Sequence, residues 1–329
     1  MTMTTSTEDG RLVPAVDFLK VTEQAALASA RWLGRGDNNA ADGAAVDAMR
    51  DEFGKLAISG TVVIGEGEKD EAPELYVGEP LGLGGMPCEI AVDPLEGTDL
   101  VARGDGGAIS ICVVGAPGGI MSAPDMYMRK ICVGASAKGR IDIDAPMVDT
   151  LEVLARCYQR RIRDLTVVVL DRPRHEKLID EVRSAGARIR LIPDGDITAS
   201  MSVGVRGTGD HLYVGIGGST EGVITAAALE CLGGEIQAKM WPRTDEEAAK
   251  LADFGITDLN TNFGIPELAP KPYYVVATGV TDGNLLQGVR YFTDGARTHS
   301  IVMDLLSNTV QFIDTVHLFS RTIIREIRL

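Results

Sequence analysis

Oxygen-bearing side chains follow a short apolar segment in the first third of the chain: Asp93, Glu96 and Thr98 come directly after Glu89–Val92. The alternation of that segment predicts the end of a strand, which Pro94 is expected to stop. Carboxylates on such a turn can face one point, and hard cations such as Mg²⁺ prefer oxygen ligands of this kind. The stretch therefore indicates a divalent-metal site, although an ordinary solvent-exposed turn uses the same residue types.

A second strand end repeats this pattern. The β-branched segment Thr61–Ile64 runs directly into a glycine-bearing loop that contains Glu66 and Glu68. An exposed acidic turn is the alternative for this loop. Because functional groups gather at strand ends of sheets, we expect the two loops to lie near each other. Asp42, near the start of a predicted helix, either joins them or only complements the helix dipole.

Charge and cysteine content exclude some classes of protein. The 329 residues include 47 acidic and 32 basic side chains, a net charge of −15, which argues against a nucleic-acid partner. A phosphate substrate would then need divalent metal to invert the local charge. The five cysteines are scattered without a C-x-x-C pair, so we expect core thiols rather than zinc clusters or disulfides. Without a signal peptide or an apolar run long enough for a membrane, a cytoplasmic protein is expected, with residues 1–11 disordered.

Hydrophobic periodicity predicts an α/β fold that is mixed in its first half and mostly parallel in its second. In the first half the predicted elements are helices Pro14–Leu33, Ala40–Leu56 and Pro146–Gln159, and strands Thr61–Ile64, Glu89–Val92, Ala108–Gly115, Lys130–Gly134 and Arg140–Asp144. In the second half they are strands Leu165–Leu170, Arg188–Ile192, Leu212–Ile216, Tyr273–Val280, Thr298–Met303, Thr309–Phe312 and Thr322–Ile327, and helices His175–Ala185, Ile197–Val203 and Val223–Leu232. The stretch Thr244–Gly264 is expected to be a polar insertion with helical content and little core. The change of pattern divides the chain into a metal-binding part, residues 12–162, and a substrate-binding part, residues 163–329.

Three predicted strand ends in the second half carry groups suited to a phosphorylated sugar. Arg172 and Arg174 flank Pro173, which stiffens their turn, and arginine binds phosphate through two parallel hydrogen bonds. The stretch Asp194–Asp196 can accept hydrogen bonds from hydroxyls, and backbone N–H groups after Gly218 can hold a phosphate at a helix start. A solvated basic patch, an ordinary Asp-Gly-Asp turn and a dipole role for Glu221 are the alternatives.

Long motifs in a fixed order give the chain a specific resemblance. They are W-L-G-R-G-D-N-N-A-A-D-G (Trp32–Gly43), V-I-G-E-G-E-K-D-E-A-P (Val63–Pro73), A-V-D-P-L-E-G-T (Ala91–Thr98), A-P-D-M-Y-M (Ala123–Met128), D-R-P-R-H (Asp171–His175), P-D-G-D (Pro193–Asp196) and G-I-G-G-S-T-E-G (Gly215–Gly222). Over about residues 16–316 the chain resembles class II fructose-1,6-bisphosphatases of the lithium-sensitive, metal-dependent sugar and inositol phosphatase superfamily. The resemblance implies a layered α-β-α-β-α fold and a homodimer or homotetramer.

The resemblance also implies roles for individual residues. Mg²⁺ or Mn²⁺ would be held by Asp42, Glu66, Asp93, Glu96 and Glu221. Substrate contacts would come from Glu96, Gly97, Thr98, Tyr127, Arg172, Pro173, Arg174, Asp194, Gly195, Asp196 and Gly218. Asn38 departs from the family, which often has Lys at this position.

The mechanistic hypothesis assigns catalysis to Thr98 and Glu66. Thr98, oriented by an acid such as Glu66 or Glu68, would align a water for attack on the sugar 1-phosphate, which the divalent ions polarise. Arg172, Arg174 and Tyr127 would anchor the distal 6-phosphate and position the substrate. Fructose 1,6-bisphosphate is the expected substrate, with sedoheptulose 1,7-bisphosphate as an alternative or second one. An inositol monophosphatase and a non-catalytic sugar-phosphate-binding regulator are the remaining alternatives.

Overall fold

The computed structural model describes residues 12–66 and 75–319. Expectations for residues 1–11, for Glu68 and for the strand Thr322–Ile327 lie outside these residues. The helices are α1 Ala15–Ala30, α2 Asn38–Phe53, α3 Thr98–Arg103, α4 Met147–Cys157, α5 Glu176–Ser184, α6 Asp196–Ser202, α7 Ser219–Leu232, α8 Asp245–Lys250 and α9 Ile265–Leu268. The strands are β1 Ile58–Ile64, β2 Pro80–Leu81, β3 Met86–Glu96, β4 Ile109–Gly115, β5 Tyr127–Val133, β6 Thr166–Leu170, β7 Arg188–Ile192, β8 Leu212–Gly218, β9 Glu235–Met240, β10 Pro272–Gly279, β11 Arg290–Phe292, β12 Gly295–Asp304 and β13 Thr309–Leu318.

The first sheet has the order β11-β12-β10-β4-β3-β1-β2, and β13 pairs with β12 at its outer edge. Helices α1 and α2 cover one face of this sheet. Their apolar stripes bury Phe18, Met49 and Phe53 against Ile90 and Val276. Such a one-sided stripe is what the helical periodicity of these segments predicts.

The second sheet has the order β7-β6-β8-β5-β9. Helices α4 and α5 cover its outer face, where Leu154 and Val182 pack with Val167 and Val169. The predicted parallel pattern is confirmed for β6, which pairs in parallel with β7 and β8. Strand β5 pairs antiparallel with β8 and with β9.

Helix α7 lies between the two sheets. It is apolar on nearly every side, and Val223 and Ala227 share one core with Ile111 of the first sheet and Met128 of the second. A helix with apolar residues all round its surface must be buried on all sides. The order helix, sheet, helix, sheet, helix confirms the layered α/β fold.

Each sheet takes strands from both halves of the chain. Strand β5 precedes residue 162 and belongs to the second sheet, whereas β10, β12 and β13 return to the first. The division into parts 12–162 and 163–329 stays a prediction.

The prediction that Pro94 stops its strand is wrong. Strand β3 continues to Glu96, with an irregularity of register between Asp93 and Glu96 opposite β4. A proline has no N–H for the ladder, so within a sheet it is confined to edges and bulges, and here it occupies the bulge. The bulge gives the two acids their separation without ending the strand.

The predicted strand Arg140–Asp144 is also wrong, although its alternation is real, because Ile141 and Ile143 are buried. The side-chain amide of Gln237 takes the place of a neighbouring strand: it accepts from Ile143 N at 2.9 Å and donates to Ile141 O at 2.8 Å. Buried backbone groups need partners, but those partners need not come from another backbone.

The stretch Thr244–Gly264 has the expected helical content in α8, but the expectation of little core is wrong. Leu251, Ile256 and Phe263 are buried in the core that contains α7. The stretch was predicted to lack a core because many of its residues are polar or charged, but these three apolar residues are buried.

Candidate active site

Side chains from both halves of the chain line one cavity of about 430 Å³. Its lining residues are Asn38, Asn39, Asp42, Glu66, Asp93, Leu95, Glu96, Gly97, Thr98, Asp99, Asp194, Asp196 and Glu221. Every residue that the sequence assigned to metal binding is among them. Carboxylates as far apart in sequence as Asp42 and Glu221 therefore converge, which is the arrangement the hypothesis requires.

Strand ends deliver the central acids. Glu66 follows β1, and its backbone N–H bonds Leu75 O at 3.1 Å. Asp93 and Glu96 flank the bulge of β3. The parallel pairing of β1 with β3 brings the ends of both strands to the same edge of the sheet.

Two helices deliver the remaining acids. Helix α2 begins at Asn38, two residues earlier than predicted, so Asp42 lies beyond the first turn. The helix dipole acts mainly on the first turn, and the dipole explanation of Asp42 therefore loses support. Helix α7 begins at Ser219, not at Val223, which places Glu221 in its first turn at the cavity wall.

Burial and mutual repulsion raise the pKa values of three of these acids. Desolvation raises the pKa of Asp93 well above its usual range, and the charges of Glu66 and Glu96 add to the effect. The pKa of Glu96 is also raised well above its ordinary value, first by desolvation and then by Asp196, and the pKa of Glu221 is raised by the same two causes. Such a cluster binds protons or cations in preference to remaining fully ionised.

Glu96 connects β3 of the first sheet to helix α6. Its carboxylate accepts hydrogen bonds from Ile197 N and, at 3.1 and 3.2 Å, from the N–H and the hydroxyl of Thr198. These donors belong to the first turn of α6, where unpaired N–H groups attract a negative charge. Glu96 is 5% exposed, so this contact fixes it firmly at the cavity wall.

The chemistry of the donor set fits a hard divalent cation. The predicted ligands are all carboxylates, which suit Mg²⁺ or Mn²⁺ rather than soft metals that prefer sulfur. Within residues 12–66 and 75–319 no three metal-ligating side chains are arranged as a closed coordination group. Glu96 is turned toward α6, and Glu221 accepts from Thr220 Oγ1 at 2.8 Å. The metal ligands therefore stay a prediction, supported by their convergence on one cavity.

Thr98 begins α3 at the cavity wall, directly after Gly97. Gly97 has a φ of 85°, a conformation that an L side chain rarely adopts. The Thr98 hydroxyl donates to Leu95 O at 3.0 Å. Since its single proton is committed, its lone pairs point elsewhere and can accept a hydrogen bond from a water in the cavity.

The predicted phosphate-binding residues form a basic and aromatic group beside the acidic cavity. Arg174 donates to Ile216 O at 2.8 and 3.1 Å, and its guanidinium lies 4.7 Å from the Tyr127 ring centre. Tyr127 pairs across the sheet with Gly218. The Arg172 guanidinium is 3.8 Å from Asp194, which links this group to the cavity. Pro173 is exposed at the turn between the two arginines, and Gly195 has a φ of 85° between Asp194 and Asp196.

Sequence reasoning missed Lys130, a fully buried cation beside the acids. Its Nζ bonds Asp196 Oδ2 at 2.6 Å and Gly218 O at 2.9 Å. The Tyr213 hydroxyl donates to the same Asp196 oxygen at 3.0 Å. Burial would lower the pKa of Lys130, but Asp196 and Glu221 together raise it above its ordinary value, so the side chain stays charged.

Glycines make room for this network. A Cβ at Gly217 would lie 1.9 Å from Asp196 Oδ2, and one at Gly218 would lie 1.8 Å from Glu221 Oε2. Gly215–Gly218 belong to β8 and directly precede α7. Glycine is required at both positions because a larger side chain would overlap a carboxylate that packs directly on the strand.

Arg243 is a second residue that the sequence did not single out. Its guanidinium lies 4.9 Å from the Tyr127 ring centre, and Glu247 holds it with hydrogen bonds of 2.6 and 3.0 Å. Arg174 and Arg243 thus both stack on one tyrosine. Asn38, at the position where the resemblance often has Lys, donates its amide to Asp99.

Other nucleophile chemistry finds no support in the described residues. His175 is buried, and its ring nitrogens bond Leu170 O and Ile216 N at 2.7 Å, a structural role. Cys88, Cys112 and Cys132 are buried, and burial raises the pKa of each thiol to about 12. A thiol with such a pKa supplies almost no thiolate at neutral pH.

Comparison with known proteins found one matching family and a set of similar proteins. Residues 13–317 match the family described as "Bacterial fructose-1,6-bisphosphatase, glpX-encoded". The chain is 43% identical to a protein of Microcystis aeruginosa over 332 residues, covering 93% of this chain and 96% of the relative. It is 44% identical to a protein of Synechococcus sp. over 329 residues, covering 92% and 95%. Both are named D-fructose 1,6-bisphosphatase class 2/sedoheptulose 1,7-bisphosphatase.

Across residues 12–66 and 75–319, no helix combines the length and the apolar character needed to span a membrane.

Proposed function

The chain belongs to the glpX-encoded bacterial fructose-1,6-bisphosphatase family, and from that premise we propose how its own residues carry out the reaction. Membership makes it a metal-dependent phosphoric monoester hydrolase, a fructose-bisphosphatase. The observation that carries the proposal is the convergence of five carboxylates and Thr98 on one cavity.

The acidic cavity takes the 1-phosphate of fructose 1,6-bisphosphate. Asp42, Glu66, Asp93, Glu96 and Glu221 hold Mg²⁺ or Mn²⁺ there. The bound ions supply neutralisation of the phosphate charge and acidification of a water molecule. Thr98 accepts a hydrogen bond from the attacking water and Glu66 takes part in orienting it, since both line the same wall.

The basic group binds the other end of the substrate. Arg172 and Arg174 contact the 6-phosphate, and Tyr127 supports Arg174 by stacking. Asp194 and Asp196, with Gly195 between them, lie between the two ends and accept hydrogen bonds from sugar hydroxyls. Glu96, Gly97 and Gly218 complete the contacts near the cavity. These contacts position the substrate and leave the chemistry to Thr98 and the acids.

Sedoheptulose 1,7-bisphosphate is a second substrate of the same site. The relatives' names include this activity, and the longer sugar keeps both phosphates that the arginines and the acids need. A non-catalytic regulator could lose Thr98 or one of the carboxylates, and this chain has them all. We further propose a cytoplasmic homo-oligomer, a dimer or a tetramer, without nucleic-acid or membrane partners.

Phosphate release tests the proposal. With Mn²⁺ or Mg²⁺ the protein should hydrolyse fructose 1,6-bisphosphate and its seven-carbon analogue, but not inositol 1-phosphate, and EDTA should abolish the activity. Glu66→Gln and Thr98→Ala should lower kcat by roughly 10²-fold or more, because each removes an oriented group of the reaction.

The matched controls are Glu176→Gln and Thr61→Ala, which change exposed residues of α5 and β1 and should leave kcat unchanged. All variants should keep the wild-type circular dichroism spectrum. Wild-type kcat in both site variants, with metal present, would refute the assignment.

A further inference from the structure

A basic cavity lies at the opposite end of the second sheet from the substrate site. It measures about 770 Å³ and is lined by residues that include Tyr158, Arg160, Arg188, Arg190, Arg206 and His211. An adjoining cavity of about 710 Å³ shares Arg160 and Arg188 with it. In a chain of net charge −15, such a concentration of arginines requires an explanation.

Three of these arginines form no direct ion pair in the part of the chain that the structure describes, although Asp164 lines the adjoining cavity beside Arg188. Arg190 is neutralised by Asp210 through bonds of 2.6 and 3.2 Å. Arg160, Arg188 and Arg206 have no such ion pair among residues 12–66 and 75–319, and Arg188 donates instead to a backbone carbonyl, that of Asp164. Their combined charge is open to an anionic ligand.

The backbone is shaped to bring Arg160 into this position. Helix α4 ends at Cys157, and the chain leaves it through Gln159, which has a φ of 53°. A non-glycine residue in this conformation is uncommon and costs of order 1 kcal/mol. Arg160 N then bonds Ala155 O at 2.9 Å, which closes the helix end and fixes the direction of the next residues.

Tyr158 and His211 line one side of the cavity and form its aromatic floor. His211 Nδ1 accepts from Thr166 N at 3.1 Å, which leaves the ring proton on Nε2. The Tyr158 ring meets His211 edge to face at 5.1 Å. Burial, followed by the nearby charges of Arg160 and Arg188, lowers the pKa of His211 and keeps it neutral. Arg160 and Arg188 line the same cavity as His211.

We propose that this arginine cavity, defined by Arg160, Arg188, Arg206 and His211, binds a phosphorylated small molecule. Guanidinium groups bind phosphate oxygens through paired hydrogen bonds and remain charged at all relevant pH values. The aromatic floor suits the apolar part of such a ligand.

The arginine cavity is separate from the substrate site. Arg188 and His211 lie at or just before the first residues of β7 and β8, whereas Asp194 and Gly218 lie at or beyond the last residues of the same strands. Five residues of β7 span roughly 15 Å at the usual rise of an extended chain. A phosphate bound by the arginines is therefore out of reach of the acidic cavity.

Equilibrium dialysis of the full chain with ³²P-labelled orthophosphate, in EDTA, tests the proposal. Without divalent ions the acidic cavity repels phosphate, and a variant of Arg172 separates binding at the arginines of the substrate site from binding in the arginine cavity. Wild-type protein should bind about one phosphate per chain, and the double variant Arg160→Gln/Arg188→Gln should bind it at least roughly tenfold more weakly, as expected for the loss of charge-assisted hydrogen bonds.

Arg163→Gln is the matched control, because Arg163 is exposed on the same turn but lines neither cavity. It should bind phosphate as the wild type does. The proposal is overturned if the wild type binds no phosphate, if the double variant binds it equally well, or if Arg172→Gln abolishes the binding instead. A change of molar mass in the double variant without any phosphate binding would assign these arginines to a subunit contact.

Discussion

Lys130 gives the acidic cavity a fixed positive charge that sequence reasoning did not anticipate. Asp196 is 6% exposed and Lys130 is fully buried, so each neutralises the other away from water. Breaking one partner of such a buried pair costs about 3–5 kcal/mol, because the other charge remains uncompensated. The ion pair therefore determines where Asp196 points and hence which substrate hydroxyl it can meet.

Lys130→Met should destabilise the fold by about 3–5 kcal/mol and raise the KM for fructose 1,6-bisphosphate by roughly tenfold. Adding Asp196→Asn removes the unpaired charge, so the double variant should regain stability in urea titrations while its KM stays high. Lys138→Met, at an exposed lysine, serves as the control. If the double variant recovered both stability and KM, Lys130 would have no positioning role.

The acids could be found from sequence because their signal is local, whereas the Lys130 network could not. Asp93, Glu96 and Glu66 stand at strand ends with glycine or proline beside them, which marks a loop near a sheet edge. Lys130 sits among apolar neighbours, and its partner Asp196 is 66 residues away in sequence. No periodicity encodes such a pairing.

At the scale of elements, two carboxylates pack against the end of β8, one from α6 and one from α7. Asp196 packs on Gly217, and Glu221 packs on Gly218. Neither glycine has a positive φ, so their role is steric and not conformational. An added methyl group must move the carboxylate or the strand.

Gly217→Ala and Gly218→Ala should therefore fail in different ways. Displacing Asp196 should raise the KM for sugar bisphosphate, and displacing Glu221 should raise the Mn²⁺ concentration for half-maximal activity, each by roughly tenfold. Gly54→Ala, where the added Cβ would meet its nearest atom at 3.5 Å, is the control. If the KM and the Mn²⁺ requirement rose together in both Gly217→Ala and Gly218→Ala, the substitutions would be disrupting the whole strand and the two carboxylates would have no separate roles.

Element boundaries were predicted less well than element types, for reasons seen in particular residues. The start of α7 was placed at Val223 because Ser219 to Gly222 look like a loop, yet they form its first turn. Pro94 was taken as a strand end because the bulge that tolerates it depends on pairing with β4. In both cases tertiary contacts overrode the local preference.

At the scale of the whole molecule, the outer strand β13 presents a largely apolar face, interrupted by Asp314, that is exposed among residues 12–66 and 75–319. Val310, Phe312, Val316 and Leu318 alternate along it and are 41–61% exposed. Ile301 and Met303, which pair with Phe312 and Val310, are buried in the core that contains α7. The face therefore continues an apolar surface beyond the reach of the helix, as expected where a second copy packs.

Phe312→Glu should lower the molar mass of the protein measured by light scattering after gel filtration, because it places a charge within that contact. Gln311→Glu, the neighbouring position on the other face of β13, should leave the mass unchanged. An unchanged oligomer in the Phe312 variant would place the subunit contact elsewhere.

Glu96 has a consequence for the cohesion of the molecule. Its side chain extends from β3 of the first sheet. The two carboxylate oxygens accept hydrogen bonds from the first backbone N–H groups of α6, which runs between the layers. The candidate active-site cavity therefore also contains the contact that holds β3 of the first sheet against α6. Any substitution at Glu96 should weaken this contact with α6 as well as remove a proposed metal ligand, so Glu66 and Thr98 are better positions at which to test the chemistry.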